Sequence, residues 1–395
     1  MKKIYLIITL LLSFSLPFTG LAQDCSLRVS LLTVSPGEEL YSTFGHTALR
    51  ISDSTGTRDI VFNYGTFNFD EPGFYIKFAR GKLNYYVSAE SFANFEYVAM
   101  MENRSITEQT LNLTCTEKEK LLAYLDWNML PANKYYKYDF TFDNCTTRVA
   151  DLIDSIAGGS LVYKDITKEP MTFRDAIHDY LNQNEKPWSK LGIDLLLGRR
   201  LDRVMTIREE LFLPEYLMNA LDSVTTNNQP LVSDKATIFQ AEFRGHDKHS
   251  VTGPLFIFTC LFVLIGFLSF SANKIIRSFL FGFDGVLFFI IGVLGIVLVL
   301  MWVATDHYMT KDNYNLLWAW PTHAVAAFYV HSRKRWVRLY YLFYAIAQLI
   351  LIALWFWLPQ QLNPVLIPLN ALLIFRCFIL FVLNKSSNAS DTLPK

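Results

Sequence analysis

Five long apolar runs, at about 252–270, 280–304, 314–331, 339–358 and 363–384, fill the chain beyond Val251, and no other feature limits its fold so tightly. Each approaches the roughly 20 residues that a helix needs to cross a bilayer. One such run can be a buried core helix, but five in succession predict an α-helical bundle of five transmembrane helices. The connectors set its orientation. Lys274 and Arg277 lie between the first two runs, and Arg333, Lys334, Arg335 and Arg338 follow the third. The positive-inside rule makes both connectors cytoplasmic. The connectors at 306–313 and 359–363 carry little net charge and fall outside, so the preceding part of the chain is outside and the C-terminus inside. Trp302, Trp318, Trp320, Trp336, Trp355 and Trp357 cluster near the ends of the runs, as an interfacial belt does.

Residues 24–250 hold most of the charges, so a soluble half precedes the membrane half. The 36 basic residues equal the 36 acidic ones, and no basic field points to a nucleic-acid partner. The first residues read as a secretory signal: Lys2 and Lys3, an apolar stretch from Ile4 to Leu16, and Gly20-Leu21-Ala22 as the cleavage site. The expected segments are a signal peptide at 1–22, a core domain at 23–160, a helical periplasmic extension at 161–250, the transmembrane domain at 251–385 and a cytoplasmic tail at 386–395. That organisation belongs to an exported protein of the inner membrane of a Gram-negative-type cell. Cys260 and Cys377 fall in membrane runs, which leaves Cys25, Cys115 and Cys145 outside. Three is odd, so in an oxidising compartment at least one thiol is unpaired. A Cys25–Cys115 bridge would leave Cys145 free.

Within the soluble half, Leu27–Val34 reads as a strand ended by Ser35-Pro36-Gly37. A hairpin follows: His46 to Ser52 alternates, Asp53 to Gly56 turns, and Asp59 to Phe67 returns. A short helix, Gly81 and a further strand are expected before a strand over 104–113. Thr116 is expected to cap a helix over 117–129, and 131–138 to form a loop. After Asp143-Asn144, the residues Val149, Leu152, Ile153 and Ile156 make one apolar stripe that Gly158-Gly159 ends, an amphipathic helix.

Cys145 sits in the first turn of that helix, where the dipole and the free amides favour thiolate. His46 is the first residue of a strand, after Gly45. A strand histidine with a helix-start cysteine suits a nucleophilic thiol enzyme: the imidazole takes the proton and helix amides stabilise an oxyanion. The hairpin returns Asn63 near His46 as the group that orients the ring, with Asp59 and Tyr64 as substitutes. A second polar group, Asp306 and His307 with Asn313, Asn315 and His323, lacks a third metal ligand at suitable spacing and reads as loop residues that cap helices. Arg376 lies well inside the last run, where a charge is costly and usually faces a cavity or a partner, and it suits a lipid phosphate. Asp284 needs no role beyond topology. No cofactor or metal is expected.

The segments YSTFGHTALRI (41–51), VFNYGTFNF (61–69) and YDFTFDNCTTRVADLI (138–153) resemble the Lnb family, as does TDHYMTKDNYNLLW (305–318) more weakly. The resemblance covers nearly the whole chain after the leader. It implies an α+β fold, a circularly permuted papain-like (NlpC/P60-like) periplasmic domain, joined to five membrane helices. It also implies a lipoprotein N-acyltransferase, with a phospholipid acyl donor and an apolipoprotein acceptor. Carried over by position, His46 and Cys145 match the family's histidine and the cysteine of its Asp-Asn-Cys motif. Permuted relatives often have a second histidine where Asn63 stands, which leaves the third member open. A membrane-tethered cysteine peptidase or cell-wall amidase would use the same pair, and a non-enzymatic assembly or transport protein would use neither residue.

Overall fold

The computed structural model describes residues 26–159, 161–167, 169–226, 228–242 and 253–383. The expected leader, Cys25 with its proposed bridge, and the tail at 386–395 lie outside the described residues. Alternating sequences build the strands β1 (Leu27–Val34), β2 (His46–Asp53) and β3 (Asp59–Thr66) where the sequence placed them. The chain continues through helix α1 (Phe74–Ala79), strand β4 (Asn84–Ser91), helix α2 (Phe92–Met101), strand β5 (Ile106–Leu111), helix α3 (Cys115–Asn128), strand β6 (Tyr135–Lys137) and helix α4 (Cys145–Ile156). Two local expectations are corrected here, and one unassigned span is filled. Thr114, not Thr116, caps α3 through a reciprocal pair of bonds with Glu117. The span 131–138 contributes β6 to the sheet edge, and the unassigned span 92–101 is a helix.

Helices α5 (Phe173–Gln183), α6 (Pro187–Leu196) and α7 (Pro214–Leu221) follow, and then a two-stranded ribbon of β7 (Thr225–Thr226) and β8 (Gln229–Pro230). Strand β9 (Val232–Phe239) pairs antiparallel with β5 and completes a seven-stranded sheet in the order β6-β4-β3-β2-β1-β5-β9. The expectation of a wholly helical extension over 161–250 is therefore corrected. Its last strand belongs to the core sheet, and its edge position, with half of its residues exposed, hid it. Leu31, Leu49 and Phe62 on one sheet face pack against Val149 and Ile153 of α4. Leu32, Ala48 and Val61 on the other face pack against Phe92, Phe95 and Ala99 of α2.

The membrane half holds the apolar helices α8 (Pro254–Ser269), α9 (Lys274–Val303), α10 (Arg335–Leu354) and α11 (Ile367–Leu383). Three helical segments, Lys274–Val303, Arg335–Trp357 and Pro364–Val382, are long and apolar enough to cross a membrane, and α8 is shorter. In place of one helix over 314–331 the chain makes short helical turns at Tyr314–Leu317, His323–Ala326 and Ala327–Tyr329. Pro321 explains the break: it cannot donate to the preceding turn. The segment nevertheless runs antiparallel along α9, with Ala319 against Gly295, Ala324 against Gly292 and His331 against Phe281.

Two intramembrane expectations change. Arg376 is not open to a lipid phosphate, and Asp284 has a role beyond topology. The two are buried and joined by paired bonds of 2.7 Å, and Ser269 receives a third Arg376 bond at 2.6 Å. This ties α11 to α9 and α8. Trp318 and Trp355 leave the expected belt for the core, where their indoles donate to Asn315 and to the Leu362 carbonyl.

The two connectors that the charge bias leaves outside are those that meet the N-terminal domain. The Asp306 amide bonds to the Arg80 carbonyl at 3.0 Å, and the Gln361 amide to Asp202 at 3.0 Å. The C-terminal carbonyls of α6, which have no partner within the helix, are taken up from the membrane half. Asn315 donates to Asp194 O at 2.8 Å and Asn313 to Leu195 O at 2.8 Å. Asn363 reaches the buried Asp194 carboxylate at 2.8 Å, which Arg174 also pairs at 2.6 Å.

Candidate active site

The loop before α4 is built to present Cys145. Asp139 Oδ1 accepts from the Thr141 and Phe142 amides and shapes the turn. Asn144 then caps the helix, its Oδ1 accepting from the amides of Thr146 and Thr147 at 2.7 and 2.8 Å. Its amide nitrogen donates to the carbonyls of Phe140 and Phe212 at 2.7 and 2.8 Å, so the cap itself cannot swing. Asp143 pairs with Arg148, whose guanidinium lies 3.5 Å over the Tyr136 ring.

His46 enters from the sheet end. Gly45 has φ +82°, and a Cβ there would stand 2.6 Å from the Val34 carbonyl, so only glycine fits the turn into β2. Gly65, opposite on β3, has φ +89°; a Cβ there would lie 3.7 Å from that of Cys145 and 3.5 Å from the Tyr138 ring. The buried pair Thr47 and Thr146, 3.1 Å apart, joins β2 to α4 beside the site.

The three candidate residues meet. The Cys145 thiol shares a hydrogen bond with the His46 ring and accepts one from the Thr47 amide. His46 Nε2 donates to Asn63 Oδ1 at 3.0 Å. The amide orientation follows from its other end, because Asn63 Nδ2 donates to Glu90 Oε1 at 2.9 Å. Glu90 in turn accepts from Asn94. With its proton on Nε2, the neutral ring turns a basic Nδ1 towards the thiol.

The substitutes for Asn63 lie elsewhere. Asp59 pairs with Arg50 at 2.7 Å near the far end of the hairpin, and Tyr64 points through the opposite face to Asn128 at 2.7 Å. Glu90 went unnoticed in the sequence. The register that sets Ser88 opposite Asn63 and Glu90 opposite Val61 places it on the Asn63 face, but only once β3 and β4 are paired.

Electrostatics couple the two reactive groups. Partial burial pushes the Cys145 thiol up, but the His46 charge and bond, the Thr47 amide and Thr146 outweigh it, and the net direction is down. Burial pulls His46 down, and the thiolate and the bonds to Cys145 and Asn63 turn the net direction up. The same neighbourhood, through burial first and the thiolate second, drives the Tyr138 phenol well up. Both shifts favour a thiolate–imidazolium pair.

Asp306 and His307 do not join this site. His307 Nε2 donates to the Phe78 carbonyl at 3.0 Å and so helps dock the connector on α1. Asn313 and Asn315 cap α6 as described, and His323 Nδ1 accepts from the Tyr340 hydroxyl at 2.8 Å. Among the described residues no group of three or more His, Cys, Asp or Glu forms a metal site.

Comparison with protein families matches residues 19–179 to the Lnb N-terminal periplasmic domain and residues 246–388 to the Lnb transmembrane domain. No curated protein and no solved structure matches the chain.

Proposed function

The chain belongs to the Lnb family, and on that premise we propose that it is a thiol-dependent lipoprotein N-acyltransferase with Cys145 as nucleophile, His46 as acid–base and Asn63 as the group that orients His46. The observation that carries this reading is the helix-start thiol, hydrogen-bonded to a histidine that Asn63 orients, on a domain seated on a connector of the membrane bundle. Phe142, three residues before the thiol, packs on Tyr308 of that connector at 5.8 Å. That contact sets the loop before the thiol beside the membrane half, the side from which lipid substrates would come.

The order of His46 on a strand and Cys145 on a later helix supports a circularly permuted papain-like (NlpC/P60-like) core. We divide the chain at 160, 250 and 385 as the sequence suggests, with β9 lent back to the core. We further read five passes through the bilayer, the third being the broken segment 314–331 that runs along α9.

In the first half-reaction the Cys145 thiolate attacks an ester carbonyl of a phospholipid. The Cys145 backbone amide, at the helix start and left uncapped by Asn144, is placed to receive the oxyanion. The ester C–O bond breaks, the acyl group stays on sulfur as a thioester, and the leaving alkoxide takes the proton from imidazolium His46. In the second, the α-amine of a diacylglyceryl-cysteine apolipoprotein attacks the thioester and gives a proton to His46. The C–S bond breaks, an amide forms, and the thiolate–imidazolium pair returns.

The test is to withhold the acceptor. Purified protein with acyl-labelled phospholipid should accumulate a hydroxylamine-sensitive adduct on Cys145 that a diacylglyceryl-peptide amine discharges. Cys145→Ala, folded and inserted, should carry none. If wild-type Cys145 takes no label while a peptidoglycan fragment is cleaved, the protein is an amidase instead.

A further inference from the structure

An unbroken series of aromatic rings leads away from the thiol. Tyr138 borders Gly65 beside Cys145 and stacks on Tyr85 at 4.6 Å. Tyr85 meets Phe67 at 5.4 Å, Phe67 meets Phe69 at 4.9 Å, and both pack on Phe74 of α1. Tyr138, Tyr85 and Phe67 are only half-buried. The far end is more exposed still: Phe69 is 62 % exposed, Tyr75 79 % and Ile76 68 %. A soluble surface seldom concentrates such residues without a partner.

The partner is set by where α1 is fastened. Its Phe78 and Arg80 carbonyls accept from His307 Nε2 and the Asp306 amide, and Gly81 lies against Asp306. Asp306 follows the end of membrane helix α9 at Val303 by three residues. The exposed side chains of α1 thus belong to a helix fastened beside the end of α9. Beside them stand the exposed cations Arg80 and Lys82. Apolar and aromatic side chains with adjacent cations match the periplasmic leaflet, where acyl chains meet phosphate headgroups.

We propose that α1 dips into the periplasmic leaflet and that the ring series from Phe69 to Tyr138 is an acyl-chain subsite, along which one chain of a membrane phospholipid is drawn to the thiol. The use of that chain for acylation rests on the function proposed above; the contact with lipid does not.

Two measurements on the full chain in nanodiscs of phosphatidylethanolamine and phosphatidylglycerol separate these. The doubly substituted protein Ile76→Asp, Phe78→Asp changes exposed positions only. Its Cys145 adduct from bilayer phospholipid should form about tenfold more slowly or worse, the loss expected from two apolar contacts. Alkylation of Cys145 by iodoacetamide should not change. Equal phospholipid rates in variant and wild type would overturn the subsite. The second measurement places a benzoylphenylalanine photocrosslinker at position 75, with position 303 as the membrane control. A phospholipid adduct at 75 is expected even if the wild-type thiol proves to accept no acyl group, an outcome that would sink the acyltransferase but not the lipid contact. Lipid capture at 303 without capture at 75 refutes the membrane-apposed helix.

Discussion

At the scale of the residue, the site depends on one proton and the direction of one amide. The Cys145 thiol sits below its usual range and His46 above its own, and each shift favours the thiolate–imidazolium pair over the neutral one. The sign follows. Acid protonates the thiolate at a pH below the about 8.5 of an ordinary thiol, and alkali removes the imidazolium proton above about 6.5. Iodoacetamide should therefore alkylate Cys145 rapidly through neutral pH, while acyl transfer should fall on both sides of a bell. His46→Ala should return the alkylation midpoint to the ordinary thiol range, and an unchanged profile would remove His46 from the pair. Glu90 acts one step back, by fixing which end of Asn63 meets the ring. Asn63→Ala should cut acylation by about a hundredfold through a misplaced imidazole. Glu90→Leu should cut it less and move the alkylation profile the same way, whereas Glu90→Gln, which keeps an acceptor for Asn63 Nδ2, should restore both. A slower Glu90→Leu enzyme with the wild-type profile would make Glu90 a merely structural residue.

At the scale of the element, the sequence was most legible where one periodicity and one punctuation agreed. Strands β1 to β3 alternate between clear turns, and α4 carries an apolar stripe between Asn144 and two glycines, so the Cys145–His46–Asn63 grouping could be read before any coordinates. It failed where partners are distant in sequence. Strand β9 pairs with β5 across more than a hundred residues, and half of its side chains are polar, so no local pattern announces that. The apolar run 314–331 looked continuous because hydropathy ignores what Pro321 does to a helix. Arg376 and Asp284, 92 positions apart, read separately as a lipid ligand and a topological charge, yet they form one buried pair. Arg376→Leu leaves Asp284 without its cation and should cost about 3–5 kcal/mol. Removal of both charges in the double variant Asp284→Leu, Arg376→Leu should recover most of it. Unfolding midpoints in one detergent check this, and a double variant no better than Arg376→Leu would deny that the pair is the unit.

At the scale of the whole molecule, the two halves are joined by more than the chain between them. Asn313 and Asn315 bind the last carbonyls of α6, Asn363 shares Asp194 with Arg174, and Arg200 pairs with Asp312 at 2.8 Å. Asp194, Arg174, Asn313 and Asn315 are all buried, so loss of one partner strands the others away from water. Only with this joint intact do Phe142 and α1 rest on the connector that follows α9, and the proposed approach of lipid to the thiol depends on that contact. A protease site inserted between 243 and 252 tests whether the joint holds unaided. After cleavage in the membrane, the periplasmic domain of the otherwise wild-type protein should remain bound through a salt wash, because its main contacts are buried hydrogen bonds that salt screens weakly. Asn315→Leu with Asn363→Leu removes the bonds to Asp194 and to the end of α6, at about 1–3 kcal/mol for each stranded group. Cleavage of that variant should release the domain into the wash, with Cys145 still open to iodoacetamide but no longer acylated from the bilayer. Release from the cleaved wild type as well would show that the linker alone holds the halves together, and the approach of lipid to the thiol would then need another cause.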